Sequence, residues 1–417
     1  MSITQPKLRF SEFKENWEIF LFEDIYSFRT TNSFSRDKLN YESGLVKNIH
    51  YGDIHKGFNS SFKVKDENVP FINSDISLDK ISSDNYCQNG DLIIADASED
   101  YADIGKTIEI VDTNNENVLA GLHTFLARPD KKSMAVGFGT FLMKSNLINK
   151  QIKLIAQGSK VLSISTGRLG KIKTVIPSIN EQRKIADFFY LIDKKINQLT
   201  KKKELLIKYN KGITQKIFNQ NIKFKDDYNN EFPKWEIVKL HTLCDYKNGG
   251  SFENYVCSDG QYNLITLNSI DINGKIKKEH KKVSISDNSL KKGDLIMVLS
   301  DVAHGNFLGL TDVIPGDDYV LNQRMAALKP IKEINTYYLK TFINYNQKYF
   351  KLMGQGSSQL NLSKGDVINF DVKLPVLQEQ DKISNFLYAI DMKINQITIQ
   401  LEKTIAFKKS LLQQMFV

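Results

Sequence analysis

Cysteine is scarce in this 417-residue chain: only Cys87, Cys244 and Cys257 occur. They lie far apart or oddly spaced, which excludes a disulfide framework and a zinc-ligand set and fits a reducing, cytoplasmic compartment. The six histidines, His50, His55, His123, His241, His280 and His304, show no metal-ligand spacing, so no metal site is expected. The eight prolines include no adjacent pair, so the Asn/Asp-Pro-Pro-aromatic motif that holds the target amino group in adenine methylation is missing. Gly105-Lys106-Thr107 lacks the upstream glycine of a phosphate-binding loop, and Gly249-Gly250 opens no dinucleotide fingerprint. Asp96, Glu99, Asp100 and Asp103 cluster, but no lysine arrangement supports a metal-dependent nuclease, so they read better as a solvated or ligand-reading loop. No run of eighteen apolar residues exists, and the first residues lack the apolar core of a signal peptide, so no membrane partner is expected.

What the chain does contain is a duplication. Pro177 to Thr200 returns 198 residues later as Pro375 to Thr398, with fourteen of twenty-four positions identical. Leu8-Arg-Phe followed by Trp17-Glu-Ile recurs as Ile222-Lys-Phe followed by Trp235-Glu-Ile. Asn89-Gly-Asp-Leu-Ile-Ile matches Lys292-Gly-Asp-Leu-Ile-Met, a turn feeding an apolar strand. Val118-Leu-Ala-Gly-Leu-His and Tyr319-Val-Leu-Asn-Gln-Arg-Met lead to Arg128-Pro and Lys329-Pro, which pairs Leu122-His123 with Arg324-Met325. Gly158-Ser-Lys and Gly356-Ser-Ser follow. The offset between copies drifts from about 218 to 198, so the halves differ by insertions before residue 158. Two copies predict pseudo-two-fold symmetry rather than a solenoid. The net charge of +9 and pI near 9.0 favour a polyanionic partner, although weakly by themselves.

Each half begins with short apolar runs broken by Gly, Asn, Asp and Ser, which predicts a mixed, strand-rich domain. Each half ends in one long helix with a heptad seam. In the first copy the seam runs through Ile185, Phe189, Ile192, Ile196, Leu199, Lys203, Leu206, Asn210, Ile213 and Ile217. In the second it runs through Ile383, Leu387, Ile390, Ile394, Ile397, Leu401, Thr404, Lys408, Leu411 and Met415. The polar breaks at Lys203, Asn210, Thr404 and Lys408 leave two readings open, register fixing and fraying. The expected organisation is a first globular domain over 1–157, a helical region over 158–220, a second globular domain over 221–355 and a second helical region over 356–417. The expected fold is α+β, with the two helices packed as an antiparallel coiled coil. A helix of ~39 residues is ~58 Å long, enough to hold two domains more than one DNA turn apart.

The Pro-x-x-x-Glu-Gln-x-x-Ile helix start occurs at Pro177, Glu181, Gln182 and Ile185, and again at Pro375, Glu379, Gln380 and Ile383. With the two Gly-Asp-Leu-Ile turns, the Gly356 to Ser363 stretch and the order domain, helix, domain, helix, the chain resembles the specificity subunit of Type I restriction–modification systems over essentially its whole length. The resemblance implies a non-catalytic DNA-binding subunit with two target recognition domains. Each would read one half of a bipartite double-stranded DNA target. The helices would set the spacing and dock two methyltransferase subunits carrying S-adenosylmethionine. Two restriction subunits, using ATP and Mg, would join where restriction accompanies modification. No cofactor is implied in this chain. Two alternatives belong to other classes: a standalone DNA methyltransferase with an unusual motif, and a helical scaffold with no DNA role.

Base readers need side chains that match base edges, placed on loops between rigid strands. Candidates in the first domain are Arg29, Thr30, Thr31, Ser33, Arg36, Tyr51, His55, Ser98, Tyr101, Lys160 and Arg168. Those in the second are Lys247, Asn248, Ser251, Asn268, Ser269, His304, Asn306, Gln323, Arg324, Ser358, Gln359 and Asn361, with Asp301 beside them. Asn322 and Gln323 have buried backbone as an alternative target, and Asp91 and Asp294 are expected to close Gly-Asp turns. Lys171 to Lys216 carries twelve Lys/Arg against four Asp/Glu, whereas Lys364 to Lys409 carries seven against six. The basic stretch fits spacer phosphates, an acidic partner or a solvated helix face.

Overall fold

The computed structural model describes residues 5–288, 290–302 and 305–417. The chain divides into two compact units, one formed by residues up to Lys201 together with Ile399–Val417, the other by Lys202–Thr398. Both divisions fall inside a long helix. The first long helix is Ile179–Phe218 (40 residues) and the second is Leu377–Met415 (39 residues). Each unit therefore contains one globular domain and a segment of both helices.

In the first unit the main sheet has five strands in the order 26–29, 124–129, 92–95, 107–112, 61–63, antiparallel except for the last pair. A second sheet runs 117–120, 46–49, 71–72, 39–40, and its first pair is parallel. The second unit repeats this frame. Its main sheet runs 244–248, 325–330, 295–298, 311–313, and its smaller sheet runs 281–283, 262–265, 319–321, again with one parallel pair. Among its described residues no strand corresponds to 39–40 or 61–63, which locates the inserted residues of the first half.

Leu92-Ile-Ile-Ala and Leu295-Ile-Met-Val read as unbroken apolar runs because both faces of the main sheet are covered. Leu92 and Ile94 point into the core shared with the helices, while Ile93 joins Ile108, Ile110 and Leu126 on the far side. Leu295 and Met297 face the helices, and Ile296 and Val298 face away, in the same alternation. Asp91 and Asp294 close the Gly-Asp turns, accepting from the Gln88 and Lys291 amides at 2.8 and 2.9 Å. They also do more than that expectation held. Asp91 takes two bonds from the buried Arg128 guanidinium (3.0 and 2.9 Å), and Asp294 sits 3.8 Å from Lys329. The Arg-Pro and Lys-Pro of the repeat are thus the basic partners of the turn carboxylates.

The seam residues are all buried or half-buried, and nearly all other helix positions beyond the first turns are exposed. In the first unit Phe189 meets Phe416 (ring centroids 6.2 Å apart) and Asp193 meets Lys408 (2.5 Å). In the second unit Asn210 meets Asp391 (2.9 Å), and Ile217 shares a core with Ile383 and Leu387. In each unit the two helical segments therefore run antiparallel. Asp193 and Asp391 occupy equivalent repeat positions, as do Asn210 and Lys408. Asn210 and Lys408 are thus paired polar positions in the helix packing rather than frayed ends, the arrangement that register fixing requires. Thr404 returns its hydroxyl to the Gln400 carbonyl of its own helix at 2.7 Å.

Candidate nucleic-acid interface

The Glu-Gln of each helix start fixes the helix to its own globular domain. Gln182 is buried, accepts from the Ala135 amide (2.9 Å) and donates to the Ser133 and Pro177 carbonyls (2.8 and 2.9 Å). Gln380 repeats this, accepting from the Asn335 amide (3.0 Å) and donating to Pro375 (2.8 Å). Glu181 takes a two-point contact from Arg9, both at 2.7 Å. Its counterpart Glu379 accepts from the Trp235 indole at 2.9 Å instead. Burial raises the Glu379 carboxyl above its usual range, and the Trp235 bond and Lys223 offset part of that.

With helix and sheets fixed, the connecting segments of each globular domain gather along one set of strand ends. In the first unit Thr31 donates to the Thr124 carbonyl (3.1 Å) and Arg36 pairs with the buried Asp53 (2.6 Å). Tyr51 lies among three imidazoles, with ring centroids 4.6 Å from His50, 6.0 Å from His55 and 5.2 Å from His123. His55 reaches the Ala97 carbonyl at 3.0 Å and lies 3.8 Å from Asp103. Strand 162–163 pairs with 97–98 and carries the hairpin tip Gly158 to Val161, where Lys160 is exposed. Burial holds the Asp96 carboxyl above its usual range, and His123 at 3.3 Å opposes this. Desolvation, with help from Arg36, lowers His50.

Several candidates hold the frame instead of facing outward. Ser98 is buried and caps its own turn, donating to the Asp100 carbonyl (2.8 Å) and accepting from the Asp100 amide (3.0 Å). Ser269 is buried and bonds the Thr266 amide (2.9 Å) and the Leu264 carbonyl (3.3 Å). Arg29 lies 3.4 Å from Asp84, and Arg168 reaches the Ile155 carbonyl at 3.4 Å. Thr30, Ser33 and Tyr101 are exposed; the Tyr101 hydroxyl donates to the Lys153 carbonyl at 3.1 Å.

The second unit places its candidates on the same connections. Asn248, on strand 244–248, accepts from Tyr246 (2.6 Å), Lys247 is 3.3 Å from Asp287, and Ser251 is exposed. Asn322 is buried, accepts from the Phe252 amide (3.1 Å) and donates to Glu253 (3.3 Å), while Gln323 and Arg324 stand exposed. Asn268 is exposed on the turn after strand 262–265, where the first unit has Gly52, one residue beyond Tyr51. Strand 359–361, with Gln359 and Asn361, pairs with 300–302, and Asn361 bonds Ser300. Ser358 is exposed at the tip of that hairpin. Asn306 accepts from Gln347 through its carbonyl (2.8 Å) and from Lys351 through its side chain (3.4 Å). His304 lies outside the described residues.

The hairpin tips match in detail. Gly158 and Gly356 have φ of 124° and 125°, and a Cβ at either would collide with the carbonyl of Val161 or Gln359. The structure corrects one pairing of the repeat. His123 corresponds to Arg324, because Asp96 donates to the His123 carbonyl (3.1 Å) as Leu299 does to Arg324 (3.0 Å). His123 was not among the expected site residues. Aligning Thr124 on Met325, the first residues of equivalent strands, would have brought His123 forward. Among the described residues no group of three or more His, Cys, Asp or Glu is arranged to hold a metal ion, and no helix is long and apolar enough to cross a membrane.

Two copies of one mixed α/β frame, each presenting the same set of connections and each followed by a long helix, define a duplicated recognition protein. Residues 14–209 and 233–406 both match the family described as Type I restriction modification DNA specificity domain, so the chain belongs to that family. It is a specificity subunit, the non-catalytic component, with two target recognition domains. It is 24% identical over 412 residues to a protein described as putative Type I restriction enzyme MjaX specificity subunit of Methanocaldococcus jannaschii, covering 92% of this chain and 89% of that one. It is also 24% identical over 271 residues to the MjaVIII specificity subunit of the same organism, covering 61% and 62%. Its fold is similar to the crystal structure of a Type I S subunit from M. genitalium, with TM-score 0.62, 15% identity and 99% of both chains covered. A chain from a structural study of assembly and conformational transition in a Type I system gives TM-score 0.55 at 16% identity, with 96% of both chains covered.

Proposed function

We propose that each unit reads one half of a bipartite double-stranded DNA target, and that the long helices dock the methyltransferase subunits of the complex. The observation that carries this reading is the repeated frame. The same connections leave the same strand ends in both units, but they carry different side chains: His55 and Lys160 in one, Asn268 and Ser358 in the other. A constant scaffold with variable exposed connections is what recognition of two different base sequences requires. Exposed apolar residues on the helices support docking. They include Leu191 and Phe407 in the first unit, and Leu205, Tyr209 and Tyr388 in the second. Two methyltransferase subunits fit a duplicated chain. S-adenosylmethionine belongs on those subunits, and ATP and Mg on two restriction subunits where restriction occurs.

The test is selection of duplexes from a randomised library by this chain assembled with its methyltransferase partner, followed by mapping of the methylated base. The expected result is two defined half-sites separated by unread positions. Absence of any selected sequence would favour a scaffold role. Methyl transfer by this chain alone would favour a standalone enzyme.

A further inference from the structure

We propose that His123 and Arg324 are the equivalent specificity-determining side chains of the two recognition domains, with Arg324 addressing the edge of a guanine. The proposal rests on the reading above that each unit recognises a DNA half-site. Seven non-glycine residues among those described have positive φ, and five of them are Asn or Gln. The other two are His123 (φ 55°) and Arg324 (φ 68°), at the same place in the two units, immediately before strands 124–129 and 325–330. A left-handed conformation is unfavourable for any residue with a Cβ, and glycine would relieve it. Both units instead keep a long polar side chain there. The same bond anchors both residues: the carbonyl of each accepts the amide of the residue that follows strand 92–95 or 295–298, Asp96 or Leu299.

The side chains are presented, not consumed by the frame. The chain has seven arginines. Arg9, Arg29, Arg36 and Arg128 face carboxylates, Arg168 bonds a carbonyl and Arg183 bonds Asn180. Among the described residues Arg324 is the one whose guanidinium has no hydrogen-bond or ion-pair partner, and it is exposed. Its planar fork of donors matches guanine O6 and N7. His123 is 51% exposed at its side chain, with Nδ1 3.3 Å from Asp96 and its ring edge-on to Tyr51. That contact orients the ring and leaves Nε2 as the free polar atom.

The experiment compares the wild-type complex with complexes carrying Arg324→Ala, Arg324→Gly or His123→Ala, each selecting duplexes from a library randomised across both half-sites. Arg324→Ala is expected to abolish the preference for guanine at one position of one half-site, a loss of roughly 5- to 150-fold in discrimination, with the other half-site unchanged. Arg324→Gly removes the side chain but suits the positive φ, so it should fold at least as well and show the same relaxed position. His123→Ala should relax one position in the opposite half-site. The proposal is overturned if either alanine variant keeps the wild-type preference at every position. It is equally overturned if affinity falls uniformly over all sequences, the mark of a phosphate contact, or if Arg324→Gly restores the preference that Arg324→Ala loses. A wild-type complex that selects no bipartite sequence would instead overturn the half-site reading on which the proposal rests.

Discussion

Removing the Asp193 carboxylate should destabilise the first unit by about 2–4 kcal/mol. Asp193 lies 2.5 Å from Lys408, and the two side chains are 23% and 14% exposed. Lys408 also lies over the Phe141 ring at 5.4 Å. Lys144 is close enough to feel both charges: burial pulls its amine down to about 8, Lys408 adds to the fall and Asp193 opposes it. Asp193 therefore offsets the charge of both lysines. A fully buried pair broken on one side costs about 3–5 kcal/mol, and a fully exposed pair about 0–1 kcal/mol; this pair falls nearer the buried case. Asp193→Leu combined with Lys408→Leu removes both charges of the pair and should stay within about 1 kcal/mol of wild type. A double-mutant cycle isolates the coupling. The two tryptophans allow the unit to be followed alone: Trp17 packs on Phe416 (6.1 Å) in the first unit, so urea unfolding in a Trp235→Phe background reports that unit. A loss below about 0.5 kcal/mol for Asp193→Ala, within the range of ordinary surface changes, or a double leucine variant as unstable as the single one, would refute the register role.

Glu109 gives a pH dependence of known sign. Burial pushes its carboxyl up to about 8 from an ordinary 4.5, against the lowering effect of the Thr140, Gly137 and Gly139 amides. A raised carboxyl contributes stability that is fully present below pH 4.5 and lost as pH rises through 8, so the first unit should weaken by about 1.4 kcal/mol per pH unit across that window. Glu109→Gln should flatten the profile in thermal melts. Arg128→Ala, which strands the buried Asp91, should cost about 3–5 kcal/mol, whereas Lys329→Ala, whose ion pair with Asp294 is longer and more exposed, should cost about 1 kcal/mol or less; denaturant midpoints of the two units compare them. Gly356→Ala forces a Cβ against the Gln359 carbonyl at φ 125° and should cost about 1–3 kcal/mol locally, so DNA binding by the assembled complex should fall more than global stability.

The helices were the most legible part of the sequence. A seam position needs only an apolar side chain every three or four residues, and that survives without knowledge of the partner segment. The Glu-Gln motif was legible as a repeat, but its purpose was not. Gln182 and Gln380 bond loop amides 47 and 45 residues away, and such long-range contacts leave no local pattern. The candidate interface was legible as a set of loops and poorly legible as residues. Ser98 and Ser269 have the composition of exposed readers but serve as turn caps, because short hydroxyl side chains satisfy nearby backbone as easily as a ligand. His123 was hidden by a one-residue misalignment of the repeat, and its left-handed backbone has no signature in composition. The turn aspartates were read correctly as turn formers, yet their basic partners, Arg128 and Lys329, lie 37 and 35 positions downstream on another strand.

On the proposed reading, the two units read DNA independently while other subunits perform the chemistry. Exchange of residues 1–157 for the matching region of another family member tests it most directly, with methylated sites mapped across a genome for the assembled complex. One half of the recognised sequence is expected to change and the other half to stay as before. A change in both halves, or in neither, would contradict it.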